Sequence, residues 1–466
     1  MSEPVTFLAR AEALVGTHEA NAIDNGARTL LKKRDAVAAD FPIMEELRDR
    51  ARAIRLHALN NLDRLLAHFA DRVEEQGGVV HFAGDAEEAR SIIAAILDET
   101  SSKLVVKSKS MVSEEIELND HLQSRGVEVV ETDLGEYIVQ LAGDTPSHII
   151  APVLHMTRQD VGGLFEDQLD VDYTDDPTEL NQIARDHLRE QFLRADAGIS
   201  GVNLAVSESG SVVIVTNEGN GRLTTTAPRV HIALMGMERI VSRWEDAAVV
   251  LEVLAKSATG QRLSVYTNVI TGPRRPEDND GPEQVHVVII DNGRSEILAG
   301  ETAEILACIR CGACLNVCPV FRSVGGHAYG TVYSGPVGSV VTPGLHGMEP
   351  WWELPYASTL CGACEEVCPI RIQIPSMLLK LRQRAASEGR LPGWLEKGMT
   401  RYTRTATTPE KWRRAKKWAF WLTAPMSSRG WIRRIPGPGR GWTDYRDFPR
   451  PAKESFGEWW RLKRGS

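Results

Sequence analysis

Between about Phe41 and Gln76, Leu59, Leu62, Leu66, Phe69 and Val73 fall at alternating three- and four-residue intervals, with Leu56 and Leu65 widening the same face. That spacing predicts an amphipathic helix whose stripe is ordinary core, and Pro42 suits its first turn. Short apolar runs then alternate with helical stretches. They are VVHFA from Val79, a helix from Asp85, KLVVKS from Lys103, a helix from about Val112, VEVVETD from Val127 and HIIAPVLH from His148. Ser110 is placed to cap the helix near Val112, with Glu114 and Glu115 in its first turn. Such alternation predicts an α/β fold built on an open, mostly parallel sheet. Glu166 to Asp176 reads as a polar loop and Leu180 to Arg194 as helix, while NLAVSESGSVVIVTNEGNGRLTTTAPRVHIALMG and SVYTNVI read as strands joined by Gly-rich turns. The polar stretch from Thr271 to Arg294 holds one last strand, Val285 to Asp291, before charged helix begins. Four regions are expected: a helical segment 1–75, an α/β domain 76–294, a domain 295–388, and a C-terminal extension 389–466.

Charge changes the picture at the far end. The chain carries a net charge of −9 over 466 residues, yet from Arg371 onward basic residues outnumber acidic ones by roughly three to one. Trp394, Trp412, Trp418, Trp421, Trp431, Trp442, Trp459 and Trp460 are scattered through that extension. A basic, tryptophan-bearing tail suits an acidic partner or an anionic membrane surface, or else wraps and shields the region before it. No nucleic-acid motif accompanies the charge, so nucleic acid is not an expected partner. Apolar stretches are broken by charge before the ~18 residues a spanning helix needs. Met1 to Arg10 lacks a basic segment followed by an apolar one, and a cytoplasmic location is expected.

All seven cysteines lie between Cys308 and Cys368. Cys308, Cys311, Cys314 and Cys318 are spaced C-x2-C-x2-C-x3-C ahead of Pro319, and Cys361, Cys364 and Cys368 repeat the end of that run ahead of Pro369. This is the two-cluster ferredoxin pattern, in which the fourth cysteine of each run crosses to the other cluster. One 4Fe-4S cluster is then expected on Cys308, Cys311, Cys314 and Cys368. The second is left with Cys318, Cys361 and Cys364, and Ser358 stands where its fourth cysteine would be. A ligand at every third residue lets one loop curl around a cubane face, and the proline turns the chain away. Zinc is the competing metal, because paired C-x2-C units make tetrahedral sites, but zinc knuckles rarely carry a third cysteine and a C-P twice over. Disulfides fit poorly with an odd count in so tight a cluster.

Other candidate chemistry is weaker. Lys107 and Lys109, with Ser108 and Ser110, follow a strand and precede a helix, where α/β proteins bind anions; a solvated turn is the plainer reading. Gly210, Gly219 and Gly221 suit either amides approaching an anion or a hairpin. Glu208 and Glu218 flank one strand, and Glu208 is the candidate for a carboxylate base. His81, His148, His155, His231 and His286 lie at no ligand spacing and read as core or surface residues. His327, Tyr329 and His346, between the cysteine runs, are within reach of a cluster in sequence, but shaping the loop is the plainer reading. GxGxxG, P-loop, GxSxG and zincin motifs are absent.

The two cysteine runs, the intervening YGTVYSGPVGSV, and the segments VVKSKSMVSEEIELN, ESGSVVIVTNEGNGR and TGPRRPEDNDGPEQVHVVIIDNGR resemble the lactate utilisation protein B family over nearly the whole chain. The seven-cysteine arrangement is similar too, including the non-cysteine at 358. The resemblance implies an α/β domain of the ribose-5-phosphate isomerase and CoA-transferase type and an α-helical ferredoxin-like domain with two 4Fe-4S clusters. It also implies a role as the electron-transferring subunit of a system that oxidises L-lactate to pyruvate. The expected partners are a cysteine-rich-domain iron-sulfur subunit and a smaller subunit related to the α/β domain. Two rival functions stay open: a catalytic subunit binding the hydroxy acid at the α/β pocket or an open cluster iron, and a zinc-bearing scaffold or regulator.

Overall fold

The computed structural model describes residues 6–444 and 446–464. Packing divides the chain into two units, one ending at Arg384 and the other beginning at Ala385. The first unit opens with four helices, α1 (Phe7–Leu14), α2 (His18–Ala39), α3 (Met44–Asn60) and α4 (Leu62–Glu75). The helix expected from Phe41 to Gln76 is therefore two, because Asn61 leaves helical geometry at φ −130 and ψ 27. Its apolar stripe crosses the break intact: Leu59, Leu62, Phe69 and Val73 are all buried.

The α/β region follows as β1 (Val79–Ala83), α5 (Ala86–Glu99), β2 (Leu104–Lys107), α6 (Met111–Glu115), α7 (Leu118–Ser124), β3 (Glu128–Glu131), α8 (Leu134–Ala142), α9 (Arg158–Leu169) and α10 (Pro177–Arg194). It continues with β4 (Ala197–Gly201), β5 (Leu204–Val206), β6 (Ser211–Thr216), α11 (Asn220–Thr226), β7 (Val230–Gly236), β8 (Ile240–Val241), α12 (Trp244–Ala258), β9 (Tyr266–Ile270) and β10 (Gln284–Ile290). Six strands form one sheet in the order β1-β10-β7-β4-β2-β3, every pair parallel. A smaller mixed sheet has the order β8-β5-β6-β9. The period-2 geometry of a strand divides the apolar residues between two faces. Val105, Ile232, Leu234, Val288 and Ile290 pack with α5, α6 and α7. On the opposite side, Val106 packs with α8, α9 and α10, and Ala233, Met235, Val287 and Ile289 pack with α4. Both faces are thus covered, as the apolar runs of parallel strands require.

Several sequence expectations are corrected. HIIAPVLH, read as a strand, is a series of turns. Pro152 offers no N–H to a ladder, and the His148 Nδ1 accepts the N–H groups of Ile150 and Ala151 in place of strand partners. The start of the supposed loop from Glu166 belongs to α9, and Gly219 and Gly221 open α11 instead of a hairpin turn. Conversely, β4 was invisible. Its AGISG carries little β-propensity, but a Cβ at Gly198 would lie 1.8 Å from the Thr224 carbonyl oxygen, so small residues are what the close passage of α11 demands.

The rest of the first unit is short helices: α13 (Arg294–Ala299), α14 (Ala313–Val317), α15 (Pro319–Val324), α16 (Gly335–His346), α17 (Met348–Trp351), α18 (Ala363–Val367) and α19 (Ile374–Ser387). The second unit holds α20 (Gly393–Ala406), α21 (Pro409–Thr423), a three-stranded antiparallel sheet of β11 (Ser427–Ser428), β12 (Trp431–Ile432) and β13 (Phe448–Pro449), the turn α22 (Arg440–Thr443) and α23 (Phe456–Arg464). Its Trp418 and Trp421 are each 67% exposed. Among the described residues no helix is long and apolar enough to cross a membrane.

Candidate metal centres

The two cysteine runs fold into matching loops. Gly312 and Gly362 take positive φ, as do Arg310 and Leu360 two residues before them. Helices α14 and α18 begin just after the glycines and end at Cys318 and Cys368. Gly312 has a second reason to be glycine, since a Cβ would lie 2.9 Å from the Ile150 side chain and 3.1 Å from that of His148. The Arg310 N–H donates to the Cys308 Sγ at 3.3 Å, and the Leu360 N–H donates to the Ser358 Oγ at 3.1 Å. Ser358 therefore occupies in the second loop the place that Cys308 holds in the first.

All seven thiols are free of disulfides, and burial together with their mutual repulsion shifts most of them. Burial, then Cys368 and Cys308, push the Cys311 thiol up. Cys368 rises to about 11 through burial, with Cys308 adding to it. Burial also raises Cys318, with Cys361 adding, and takes Cys364 to about 12, with Cys318 and Cys361 adding. Cys314, well raised by burial, feels Cys308, Cys311 and Cys368 on one side and Cys364 on the other. Cys361 is exposed and its thiol is lowered by the Ala363 N–H and the Thr359 hydroxyl. Thiols crowded in this way lose their protons when a thiophilic metal enters, and metal binding is then part of folding.

A buried set of arginines surrounds Cys308. Arg55 of α3 is 1% exposed and donates to the carbonyls of Glu238, Ile240, Leu306 and Ala307. Arg294 pairs with both oxygens of Glu115 at 2.8–2.9 Å and with Glu238 at 2.8 Å. Tyr333 donates to Glu115 at 2.7 Å, and the Arg310 guanidinium lies 4.6 Å from the Tyr333 ring centre. Burial would push the Glu115 and Glu238 carboxyls up, but Arg294 reverses this in both, taking Glu238 down to about 2. Arg239 and Arg310 share Glu238 at 3.6 and 3.9 Å. Four guanidiniums thus face two carboxylates, and Cys308 acts on Arg55, Arg239 and Arg310. An uncompensated buried charge is costly, and a thiolate-bound cluster, negative in either oxidation state, would supply part of the counter-charge such a site lacks.

Further helix arginines grip the second loop's exit. Arg48 donates to the carbonyls of Glu366 and Cys368, Arg52 to those of Ile370 and Arg371, and Arg34 to that of Val367. Arg48, Arg52 and Arg55 share one face of α3, a basic stripe that was legible in the sequence beside the apolar one. Tyr329 is fully buried with an unpartnered hydroxyl, and burial together with Cys318 and Cys314 raises it well above its ordinary value. The residue between the runs thus abuts the thiols, whereas His346 is exposed.

The remaining candidates have ordinary partners. Lys107 is held by Glu114 at 2.6 Å and Glu131 at 2.7 Å, and Lys109 by Glu136 at 2.6 Å, so neither lysine is the open cation an anion pocket needs. The Glu208 carboxylate accepts the Trp244 N–H at the start of α12, and Gly210, at φ 67, passes close to the Arg72 backbone. His81 pairs with His286, His231 with Ser200, and His148 with Asn316 of α14. Tertiary structure does gather Asp144, His155 and His327 within 4.8 Å. Glu19 and the Thr145 carbonyl claim the two nitrogens of His327, which marks an ion-pair cluster built on a protonated ring.

Comparison with known proteins agrees with this geometry. Residues 66–290 match the LUD domain and residues 304–372 the 4Fe-4S dicluster domain. Lactate utilization protein B of Bacillus licheniformis is 47% identical over 445 residues, which cover 95% of this chain and 93% of that one. The chain belongs to the lactate utilization protein B family. Within that family, the Bacillus subtilis protein is 47% identical over 93% of this chain and 91% of its own, and the Shouchella clausii protein 45% over 95% and 93%. A DUF162 family protein from Deinococcus radiodurans, of solved structure, aligns at 16% identity over 49% of this chain and 98% of its own, with a TM-score of 0.28, and carries nothing further. The α/β body with its open parallel sheet and the helical iron-sulfur region expected from sequence are both present.

Proposed function

We propose that this chain is the iron-sulfur electron-relay subunit of an assembly that oxidises L-lactate to pyruvate. Its working regions are the expected 76–294 body, the cluster-bearing 295–388 and the 389–466 extension. Cys308, Cys311, Cys314 and Cys368 hold one 4Fe-4S cluster, and Cys318, Cys361 and Cys364 hold the second, whose fourth iron has no cysteine. The matching backbone of the two cysteine loops, with Ser358 in the second at the place of Cys308 in the first, is the observation that carries the reading. When bound, such clusters take up and release one electron each, so a pair matches the two electrons that leave when a 2-hydroxy acid becomes a 2-oxo acid. This chain's own part is to set potentials and exclude water. The amide N–H groups of Arg310 and Ile372 donate to Cys308 and Cys368, and the excess of guanidiniums favours the more negative, reduced state.

The exposed Cys361 edge suits electron entry or exit toward a partner. The partners we infer are a cysteine-rich-domain iron-sulfur subunit and a smaller subunit related to the α/β body. The basic helix α21, bearing exposed Trp418 and Trp421, suits an anionic partner or membrane surface. Anaerobic purification tests the reading. Brown protein with broad visible absorption, iron for two clusters and full bleaching by a strong reductant is expected, whereas colourless zinc-bound protein would overturn it. Removing residues 393–466 should release the partners and leave the iron in place if the extension docks; lost iron would mean that it shields.

A further inference from the structure

Beside the first cysteine run lies a cavity of about 450 Å³. Its position follows from the winding of the sheet. The chain steps outward from β2 to β3, then returns to β4 and steps the other way through β7 to β10, so the order reverses between β2 and β4. Open α/β sheets take ligands outside the carboxyl ends of the strands at such a reversal. Here Ser108 to Ser110 follow β2, Gly201 to Asn203 close β4, and both segments line the cavity.

Three of its lining side chains are more than nine-tenths buried yet incompletely bonded. Among the described residues, the Ser108 Oγ, both amide atoms of Asn220, and the Nε and Nη1 of Arg310 have no hydrogen-bond partner. Buried polar groups left in this state are costly and uncommon. Arg239 lies in the same wall, and Glu238, the carboxylate beside these two guanidiniums, is shared between them and Arg294. Leu134, Ile138, Ile150 and Ile214 supply apolar wall.

We infer that this cavity binds a small 2-hydroxy or 2-oxo carboxylate, its carboxylate against Arg310 and Arg239 and its adjacent oxygen between Ser108 and Asn220. A guanidinium presents donors in a planar fork that suits a carboxylate, and an amide beside a hydroxyl offers donor and acceptor together, which serves either an alcohol or a ketone. Glu218, an exposed residue of the cavity lining, has its carboxyl raised to about 7 by desolvation and then by Asp133. Arg310 sits between Cys308 and Cys311, which places the bound acid against the loop of the first cluster. The inference deepens the proposed function and rests on it for the choice of L-lactate as probe.

Anaerobic, iron-replete full-length protein titrated calorimetrically with L-lactate, pyruvate and sulfate provides the test. Saturable binding of L-lactate or pyruvate is expected at a Kd of about 1 mM or tighter, the range of ordinary substrate affinities, with sulfate binding at least ~10-fold more weakly. Asn220→Leu should weaken binding ~10-fold or more with iron content and visible spectrum unchanged, and Arg310→Gln should abolish it. Because Arg310 lies in the cysteine run, Asn220→Leu and Ser108→Ala decide the matter if Arg310→Gln loses iron. L-lactate should also shift the paramagnetic signal of the reduced wild type and not that of Asn220→Leu. Iron-replete protein that binds neither acid, sulfate that competes as well as lactate, or an Asn220→Leu protein that binds like wild type would overturn the inference and leave the relay role standing. Protein that holds no iron would instead sink the proposed function.

Discussion

The two cysteine loops share a backbone and differ in almost everything around it. Cys308, Cys311, Cys314 and Cys368 lie among buried arginines and a Tyr333–Glu115–Arg294 network that joins α6 to the helical region. Cys361 is exposed, and Ser358, whose carbonyl accepts a hydrogen bond from Arg382, stands where Cys308 stands. One loop geometry thus makes two different sites because different segments pack against each: Arg310 of the first meets the buried Glu238 and Tyr333, while the second is met at its exit by Arg34, Arg48 and Arg52. A positively charged, dry surround holds a cluster firmly and raises its potential, whereas an exposed edge with a missing thiolate favours exchange with a partner or an oxidant.

The largest effect should separate the sets outright. Cys314→Ser removes the thiol that faces both, so more than half of the iron should be lost. The guanidiniums left without a counterion should cost about 3–5 kcal/mol of stability. Cys361→Ser should lose half of the iron or less, with stability unchanged within about 0.5 kcal/mol. Iron per chain and anaerobic urea unfolding measure both, and equal destabilisation by the two variants would erase the contrast.

Next comes the arginine surround. Arg55→Met leaves four carbonyls without their donor and should cost about 3 kcal/mol. It should also lower the potential of one cluster only in a redox titration followed by electron paramagnetic resonance. A parallel fall in both potentials would show that the arginines serve the pair.

The missing thiolate sharpens the comparison from the other side. Brief oxidation should convert the second cluster to a 3Fe-4S form with its paramagnetic signal, and Ser358→Cys should suppress that conversion. Ser358→Ala should change little, because a hydroxyl holds its proton far more tightly than a thiol, whose ordinary pKa is about 8.5. Loss of the second cluster in Ser358→Ala would make serine a true ligand.

The smallest expected effect concerns pH. Burial would lower His327, but Glu19, the Thr145 carbonyl and Asp144 outweigh it and raise the ring to about 8, with His155 as the other titratable neighbour. A raised histidine stabilises the fold fully below its unfolded value of about 6.5 and loses that contribution as pH climbs through 8. Solvent screening keeps it below about 2 kcal/mol. Urea midpoints at pH 6 and 9 should differ accordingly, and His327→Gln should flatten the difference.

How much of this was legible beforehand depends on the range of the interaction. β1, β2, β3 and β10 announced themselves as β-branched runs, and the Ser110 cap was found where placed, accepting the Ser113 N–H at 3.2 Å. His148 to His155 read as a strand and β4 gives no strand signal because their partners, α14 and α11, come from later in the chain. At Lys107 and Lys109 neither the anion pocket nor the plainer solvated turn is what forms, since the carboxylates of Glu131 and Glu136, which neutralise them, arrive from β3 and α8.

Cysteine spacing, apolar periodicity and the basic tail are local patterns, and the chain's order alone determined them: two matching loops, an α/β body and a charged extension. Only the tertiary structure decided which loop is buried, that α3 brings Arg55 to Cys308, and that a reversal in strand order opens a cavity against Arg310. Those outcomes depend on desolvation and on charges brought together from distant segments. Burial multiplies their strength, and no stretch of sequence carries a record of its own burial.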